Sequence, residues 1–519
     1  MKKKILSIGR QSFRDVRENN CIYVDKTQHI YNLCVEGKTY FLSRPRRFGK
    51  SLLLSTIHEL FLGSESLFQD TWIADKWDWT KKNPVIHLSF LSVPYATMGL
   101  EAGIRYVLLN LYEKYQIDAK NLTDISLLFT GLIKELHDRH GKVVVLIDEY
   151  DKPIIDFLEH NKIEEAKANQ AVLGLFYGAL KDADFYMRLL FITGISKFTK
   201  VSLFSKLNNL NDLTLNRYYA TMLGYTQAEL EYYFDAYIIE AQRILEIETR
   251  EELLNDMRVW YNGYSWDGKN TVYNPFGTLL FFSNNDFQSF WFQSGTPSFL
   301  VEKMLTQDFF QLENIETDTN FLDQYSLNNL ELTSLLFQTG YLTIKEKSRS
   351  NLVLSYPNQE VKEAMYTFLI DGMGKTVGGG GATVQHLQKA FLKHDLTQAE
   401  NILTALFGGL TYDMYMHQTQ QQVEGFYHGL IHILFKCLGI YIQSEVHTSK
   451  GRADAIVETS THVYFFEFKL NSEVDTALTQ IKDRKYVASY AADSRSKVAI
   501  GVNFNSHTKE LEAWKTAVL

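Results

Sequence analysis

Residues 44–51, RPRRFGKS, end in the Gly-Lys-Ser that closes a phosphate-binding loop. In such a loop, backbone N–H groups and the N-terminus of the following helix bind phosphate, and a lysine adds a mobile cation. Lys50 and Ser51 would supply the cation and a hydroxyl ligand for Mg²⁺. The motif begins with a glycine, but Arg44 followed by Pro45 stands there, so the tight turn must be built differently.

A pair of carboxylates that suits this loop follows an apolar run further along the chain. Residues 142–149 read KVVVLIDE, and the run up to Ile147 predicts a strand buried on both faces of a parallel sheet. We expect Asp148 to share Mg²⁺ with Ser51, and Glu149 to orient or deprotonate the attacking water. The alternative is an exposed Gly-Lys turn beside an unrelated strand, and the position of the loop between a predicted strand and helix argues against it.

A second set of candidate residues lies in 451–469, GRADAIVETSTHVYFFEFK. Asp454 opens one predicted strand, whereas Glu467 and Lys469 are two apart on the next and therefore share one face. A hairpin would bring Asp454 beside Glu467, where the two carboxylates and the backbone carbonyl of Phe468 would bind Mg²⁺. Lys469 would then orient or deprotonate a water aimed at phosphate. The alternative is a solvated ion pair on a surface hairpin.

The N-terminal elements predict a doubly wound α/β domain. Residues 39–42 are a predicted strand before the loop, and the apolar helical pattern after the loop stops at Gly63. Further strands are predicted at 84–90 and 187–193, with helices between the strands. Strands that alternate with helices are typical of a parallel sheet.

The rest of the chain predicts helices and then a second α/β unit. Residues 226–258 are predicted to be helical, and a strand-like stretch starts at 340. The sequence GMGKTVGGGGA, 372–382, predicts a flexible linker, because four consecutive glycines do not favour a regular element. Beyond it we expect helices at 384–394, 397–406 and 422–438, and strands at 440–447, 453–458, 462–469 and 497–502.

Composition limits the classes of protein. A chain of 519 residues exceeds one hydrophobic core, so roughly two to four domains are expected. The net charge of −8 excludes a bulk polyanion binder, and nucleic-acid contact would need a local basic surface. Three cysteines without a CxxC pair favour a reducing compartment. The longest apolar stretch contains histidines and a lysine, so we expect no membrane span and a cytoplasmic location.

Several motifs in a fixed order carry a resemblance to the bacterial AAA-ATPase-like family, whose members often have a C-terminal PD-(D/E)XK nuclease-like domain. The motifs are RPRRFGKS, LIDEYDKP (146–153), FITGISKF (191–198), FSKLNNLNDLT (204–214), WYNGY (260–264), VYNPF (272–276) and TGYLTI (339–344). The family's loop resembles RPRRFGKS, so Arg44 is the family's form. Whether Arg44, Arg46 and Arg47 lie near phosphates or form a basic patch for another partner stays open.

The resemblance implies a domain order and a set of binding residues. We expect a P-loop ATPase core at 1–225, a helical lid at 226–320, a winged-helix-like module at 321–375, and a restriction-endonuclease-like α/β domain at 383–519. The resemblance implies that Thr193, or Ser196, senses the γ-phosphate. The other expected nucleotide-binding residues are Arg47, Phe48, Gly49, Lys50, Ser51 and Asp148.

The resemblance also bears on the second site. Asp454, Glu467 and Lys469 resemble the D…ExK set of the PD-(D/E)XK nucleases. Helix 422–438 would add Glu424, and the helix after the second strand would carry Gln480, with Tyr486 beyond it; family members show a similar Gln and Tyr.

We therefore expect a protein that binds ATP and Mg²⁺ and whose nucleotide state regulates a Mg²⁺-dependent nuclease acting on DNA or RNA. The rival interpretation is a nucleotide-switched regulatory or scaffold protein whose nuclease-like domain only binds. Whether ATP is hydrolysed, and whether the chain forms a homo-oligomer or binds a protein partner, stays open.

Overall fold

The computed structural model divides the chain into two compact units, which are described in turn. One comprises Met1–Ser294 and Leu312–Glu360, and the other comprises Gly295–Gln311 and Val361–Leu519. The described residues are 3–119, 122–158, 162–197, 209–290, 298–307, 309, 312–322, 331–373, 379–408, 420–439, 443–446, 454–483, 490–505, 508 and 510–519. The domain boundaries drawn from the sequence stay predictions.

Within its described residues, the first unit contains a five-stranded parallel sheet in the order β2-β3-β4-β1-β5. The strands are β1 (Thr39–Ser43), β2 (Val85–Ser89), β3 (Val143–Asp148), β4 (Met187–Gly194) and β5 (Asn211–Asp212). All of β3 is buried, as its β-branched sequence predicts. Because β4 lies between β1 and β3, Thr193 and Gly194 at its end lie between the phosphate loop that follows β1 and the carboxylates that end β3.

Helices cover this sheet as the periodicity predicts. The helix after the loop begins at Lys50 and stops at Gly63, whose left-handed conformation (φ 74°) suits glycine. The helices of this part are Phe13–Glu18, Thr27–Glu36, Lys50–Leu62, Tyr95–Met98, Leu100–Lys114, Ile125–His140, Lys152–Ile155 and Ile163–Asp182.

The segment predicted as helical at 226–258 consists of successive short helices. Thr226 starts the first with a capping box to Glu229, and Thr249 caps the third. Asn274 caps a further helix through the N–H groups of Phe276 and Gly277. The helices are Gln227–Tyr233, Asp235–Ile244, Arg250–Tyr261 and Pro275–Asn284.

A small antiparallel sheet completes the first unit. Its described strands are β6 (Ile315–Asp318), β7 (Thr343–Ser348) and β8 (Asn351–Ser355), in the order β6-β8-β7. Helix Leu332–Thr339 precedes the β7–β8 hairpin in the chain. Helix Gln359–Met373, most of which belongs to the second unit, follows it, which is a winged-helix-like order. The Thr343 side chain exchanges hydrogen bonds with the backbone of Ser265, at 2.7 and 3.0 Å, so the hairpin packs on the 260–268 segment.

The second unit contains a mixed sheet in the order β13-β12-β11-β10-β9 within its described residues, with β11 and β12 parallel. The strands are β9 (Gln443–Val446), β10 (Ala455–Glu458), β11 (His462–Leu470), β12 (Ser496–Asn505) and β13 (Glu510–Val518). The helices are Ser298–Thr306, Gly380–Leu392, Leu396–Gly408, Gln420–Leu438 and Val474–Asp483. On β11, Phe466 packs against Phe391 and Phe435, whereas Phe465 belongs to a cluster with Ile481 on the opposite face.

One sequence expectation for this unit was wrong. The glycine run is not wholly irregular, because a helix begins at Gly380 after a left-handed Gly379 (φ 91°). A Cβ on Gly380 would lie 2.8 Å from the carbonyl oxygen of Thr367, so close packing explains a glycine there. The sequence analysis also missed β13. In the part of the chain that the structure describes, no helix combines the length and apolar character needed to cross a bilayer.

Candidate functional site

The phosphate loop connects the end of β1 to helix Lys50–Leu62. Gly49, at the start of the helix, is left-handed (φ 90°). Arg47 is also left-handed (φ 68°), which is unfavourable for a residue with a side chain. Backbone strain of this kind is concentrated at functional sites, and here it lies within the candidate loop.

The lysine of the loop motif, Lys50, is hydrogen-bonded to the backbone of the loop itself. The buried Lys50 Nζ donates hydrogen bonds to the carbonyl oxygens of Arg44 and Pro45, each at 2.9 Å. Burial lowers the pKa of the Lys50 ammonium, and the nearby carboxylates of Asp148 and Glu149 oppose the shift. Lys50 therefore lies beside the predicted carboxylate pair. Its two hydrogen-bond acceptors are uncharged carbonyl oxygens.

Asp148 accepts hydrogen bonds from three other residues of the site. Its Oδ2 accepts a hydrogen bond from Ser51 Oγ at 2.6 Å, the pairing expected from the sequence. Its Oδ1 accepts hydrogen bonds from Thr193 Oγ1 at 2.7 Å and from the N–H of Glu149 at 3.0 Å. The buried Thr193 hydroxyl thus donates to Asp148 in this structure, whereas the family resemblance predicts that Thr193 contacts the γ-phosphate. Clustered hydroxyl and carboxylate oxygens are the ligands that Mg²⁺ prefers.

Glu149 is partly buried and has a strained, left-handed backbone conformation (φ 51°). Burial raises the pKa of its carboxyl, Lys50 opposes the shift, and Asp148 and Asp151 add to it. A carboxylate with a raised pKa beside a phosphate loop has the properties of a general base.

Asp151, to which no role was assigned from the sequence, fixes the backbone after β4. It is buried and accepts hydrogen bonds from the N–H groups of Ile195 and Ser196, at 3.1 and 2.6 Å, and from the Ser196 hydroxyl at 2.6 Å. Ser196, the alternative γ-phosphate sensor, is therefore bonded to Asp151. Burial raises the pKa of Asp151, and the bonds from Ser196 oppose the shift.

Arg44 turns inward and is buried. Its buried guanidinium donates hydrogen bonds to the carbonyls of Ser43 and Thr214, both at 2.9 Å, and of Tyr219 at 3.3 Å. It also stacks over the Trp266 ring at 3.9 Å. Arg44 thus fastens the end of β1 to two distant segments, which is how the turn is built without the first glycine.

The next loop residues are packed against aromatic rings. The Arg47 guanidinium lies 3.6 Å from the centre of the Phe276 ring. Phe48 is buried and makes edge contacts with Tyr264 and Trp266, with ring centres 4.8 and 5.4 Å apart. Sequence reasoning missed these contacts, although the aromatic motifs WYNGY and VYNPF were the available signal.

A pocket adjoins Phe48 and Gly49, at the C-terminal end of the loop. Three stretches of the chain line most of it: 22–24, 49–56 and 222–225. The lining is mainly apolar, including Ile22 and Leu53, and it begins at Gly49. An apolar group of a ligand would find mainly apolar contacts in such a pocket.

The second candidate site lies at the β10–β11 hairpin. Ala455 pairs with Phe466, so Asp454 comes opposite Glu467, and the Asp454 N–H donates to the Phe466 carbonyl at 3.0 Å. Directly opposite residues of an antiparallel pair share one face, with Cβ atoms roughly 5 Å apart. Asp454 Oδ2 also accepts a hydrogen bond from the N–H of Phe468 at 2.9 Å.

Lys469 completes this cluster. Its Nζ lies 2.9 Å from Oε1 of the buried Glu467, and Phe468 between them is buried on the other face. The N–H and C=O of one strand residue point toward the same neighbour, so the Phe468 carbonyl faces the side of Asp454. Two carboxylates and a carbonyl are oxygen donors suited to Mg²⁺. The described residues contain no group of three or more His, Cys, Asp or Glu side chains that would bind a metal alone.

The remaining residues singled out near this site are placed as follows. Gln480 lies on helix Val474–Asp483 and Glu424 on helix Gln420–Leu438. Tyr486 lies outside the described residues.

Family models match the two regions of the chain that contain the candidate sites. Residues 7–204 match the family described as "Predicted AAA-ATPase", and residues 422–514 match the PD-(D/E)XK nuclease superfamily. A relative from Azotobacter chroococcum mcd 1, described as "Uncharacterized protein in vnfD 5'region", is 36% identical over 522 residues, which is 98% of each chain. No solved structure matches the chain.

The sheet, the loop and the D…ExK hairpin define a P-loop α/β protein joined to a restriction-endonuclease-like α/β domain. The chain belongs to the family of predicted AAA-ATPases that carry a C-terminal PD-(D/E)XK nuclease-superfamily domain.

Glu149→Gln should make the stability of the protein less dependent on pH. Because burial raises the pKa of Glu149, its ionised form destabilises the fold above that pKa. Near and below the ordinary value of 4.5, the carboxyl is protonated in both folded and unfolded chains and the effect vanishes. We expect Glu149→Gln to melt roughly 1–3 °C higher than wild type at pH 7, with the gain lost as the pH falls towards 4.5.

Thermal unfolding followed across this pH range measures the effect, with the exposed Glu101→Gln as the matched control. A gain that persists unchanged at the acidic end would show that burial of the Glu149 charge is not its cause.

Proposed function

We propose that the protein binds ATP with Mg²⁺ at the phosphate loop, and that its nucleotide state regulates a Mg²⁺-dependent nuclease formed by Asp454, Glu467 and Lys469. The observation that carries the proposal is the 2.6 Å contact between Ser51 Oγ and Asp148 Oδ2. It brings the hydroxyl that ends the loop motif to the carboxylate that ends β3.

At the first site each group has a separate task. Lys50 exchanges the carbonyls of Arg44 and Pro45 for phosphate oxygens, which are stronger partners because they carry charge. Ser51 and Asp148 hold Mg²⁺, which when bound neutralises negative charge on the phosphates. Glu149, with its raised pKa, orients or deprotonates the attacking water.

The pocket beside Gly49 supports a nucleotide as the ligand rather than free phosphate. A base that enters it covers apolar side chains such as Ile22 and Leu53 while its phosphates reach the loop. Binding energy from the base would then position the phosphates, which have no apolar surface of their own.

At the second site, Asp454 and Glu467 face each other across the hairpin, and the carbonyl of Phe468 faces the same side. Mg²⁺ bound there would stabilise the charge that develops on a phosphodiester during cleavage. Lys469, whose Nζ lies 2.9 Å from Glu467 Oε1, orients the attacking water as an ammonium or deprotonates it as a neutral amine. A phosphodiester backbone is the substrate that this chemistry fits, so DNA or RNA is the proposed substrate.

The rival function is a nucleotide-switched scaffold whose nuclease-like domain only binds nucleic acid. The co-occurrence of two carboxylates and a lysine on one face of the sheet favours the enzyme, since two carboxylates without a metal ion would repel a polyanion. Cleavage assays separate the two functions.

Lys50→Ala should abolish ATP binding. A ligand that binds only the native state raises the melting temperature, by an amount that corresponds to about 2.7 kcal/mol at a hundredfold excess over Kd. We expect ATP with Mg²⁺ to raise the melting temperature of the wild type by several degrees and to leave that of Lys50→Ala unchanged. Differential scanning calorimetry measures both.

The control is Lys134→Ala, which removes an exposed lysine from helix Ile125–His140. It should respond to ATP as the wild type does. Equal shifts in the wild type and in Lys50→Ala would place the nucleotide elsewhere.

Asp454→Asn and Lys469→Met should each remove Mg²⁺-dependent cleavage. Both substitutions keep the approximate shape of the side chain but remove a metal ligand or the group that acts on water, so we expect a loss of at least about a hundredfold. Nicking of plasmid, cutting of linear DNA and degradation of RNA, each with Mg²⁺ or EDTA, measure the rate.

The controls are Glu473→Gln and Lys482→Met, two exposed positions of the same domain. They should cleave at the wild-type rate, and all four variants should respond to ATP normally. Cleavage that survives in both site variants would assign it to another protein or another site, whereas binding without cleavage by the wild type would favour the scaffold.

A further inference from the structure

One lysine joins two walls of the pocket beside the phosphate loop. Lys26 and residues 22–24 line the first wall, and residues 222–225 line the second. The Lys26 ammonium donates hydrogen bonds to both carboxylate oxygens of Glu229, at 2.6 and 2.7 Å, and to the Thr221 carbonyl at 2.8 Å. Thr221 precedes the second wall in the chain and Glu229 follows it. A single side chain therefore ties the first wall to both ends of the second.

The partner of this lysine is itself fixed in position. Glu229 accepts hydrogen bonds from the N–H and the hydroxyl of Thr226, at 2.8 and 3.0 Å, in the capping box that starts helix Gln227–Tyr233. Only 11% of the Lys26 side chain and 23% of the Glu229 side chain are exposed. The ion pair is thus largely shielded from water and ordered on both sides, unlike an exposed surface pair.

The energetics of a shielded ion pair favour a role in geometry over a role in stability. Burial lowers the pKa of the Lys26 ammonium, and the charge of Glu229 opposes the shift. Because desolvation offsets much of the attraction, replacing such a pair by uncharged side chains of similar volume is often neutral for the free energy of unfolding. The three hydrogen bonds of Lys26 nevertheless set the spacing between the two chain segments.

The third wall of the pocket has a different attachment. It is formed within residues 49–56, where the phosphate loop runs into the helix that starts at Lys50. Ile22 of the first wall packs instead in one hydrophobic cluster with Leu230 and Ile238, from the helices that follow the second wall. A group that enters the pocket therefore contacts the phosphate-loop helix on one side and this cluster on the other.

We propose that the Lys26–Glu229 ion pair is a positioning element of the nucleotide site, which sets the spacing of the pocket walls for the base of ATP. The inference rests on the proposed binding of ATP at the phosphate loop. Walls that are already ordered let the base bind without the cost of ordering them. The phosphates bind at the loop, so loss of the pair should weaken binding of the base and spare binding of the phosphates.

The test compares a nucleotide with inorganic tripolyphosphate, which has neither base nor ribose. Tripolyphosphate and the non-hydrolysable β,γ-imido analogue of ATP, each with Mg²⁺, are titrated calorimetrically into the wild type and four variants: Lys26→Met, Lys26→Arg, Glu229→Gln and the double variant Lys26→Met/Glu229→Gln. In the three variants without the pair, the analogue should bind roughly 10-fold more weakly, because the loosened walls must be ordered on binding. The affinity for tripolyphosphate should change by less than about threefold. Lys26→Arg keeps the charge and should recover part of the loss.

Lys38→Met is the matched control. Lys38 also donates to a carboxylate, Asp184 Oδ2 at 2.7 Å, but it does not line the pocket. This variant should bind both ligands as the wild type does. Melting temperatures without ligand check folding. Each single variant that removes one partner leaves the other charge unpaired and should melt lower than the double variant, which therefore keeps the comparison measurable.

Equal weakening of the analogue and tripolyphosphate in the double variant, or an unchanged affinity for the analogue, would overturn the assignment. A wild type that binds tripolyphosphate as tightly as the analogue would overturn it as well, because the base would then gain nothing from the pocket. Failure of the proposed function looks different: the wild type would bind neither ligand.

Discussion

The hydrogen bonds of one buried carboxylate, Asp148, hold the first site together. It joins the helix that follows the phosphate loop, through Ser51, to the neighbouring strand β4, through Thr193. A buried carboxylate is tolerated only when its oxygens are hydrogen-bonded, so these partners must stay in place for the sheet to stay folded. The same hydrogen bonds keep the Ser51 hydroxyl and the Asp148 carboxylate, the two proposed oxygen ligands for Mg²⁺, side by side, which is the preorganisation that the proposed catalysis needs.

The parts of the fold that depend on local sequence pattern could be predicted from the sequence. The β-branched run before Asp148 is a fully buried strand, and the helix from Lys50 stops at Gly63. The packing of Arg44 on Trp266 could not be predicted, because the two residues are far apart in the chain and only the tertiary fold brings them together. The helix at Gly380 was missed for the same kind of reason, since close contact with Thr367 outweighs the low helix propensity of glycine.

The second site was easier to predict, because it depends on strand periodicity and one hairpin. The alternation of β11 places Glu467 and Lys469 on one face, and the register that pairs Ala455 with Phe466 brings Asp454 opposite Glu467. A slip of one residue would turn Glu467 to the other face of the sheet. The core contacts of Phe465 and Phe466 on opposite faces therefore fix the register on which the proposed chemistry depends.

In the proposed function, nucleotide at the phosphate loop controls cleavage at the D…ExK hairpin. This coupling is measured by the initial cleavage rate of the preferred nucleic acid by wild type and Lys50→Ala, each with Mg²⁺ and with ATP, ADP or no nucleotide. We expect a rate that changes with nucleotide in the wild type and is the same under all three conditions in Lys50→Ala. A wild-type rate that is the same with ATP, with ADP and without nucleotide, at concentrations that saturate the loop, would contradict it.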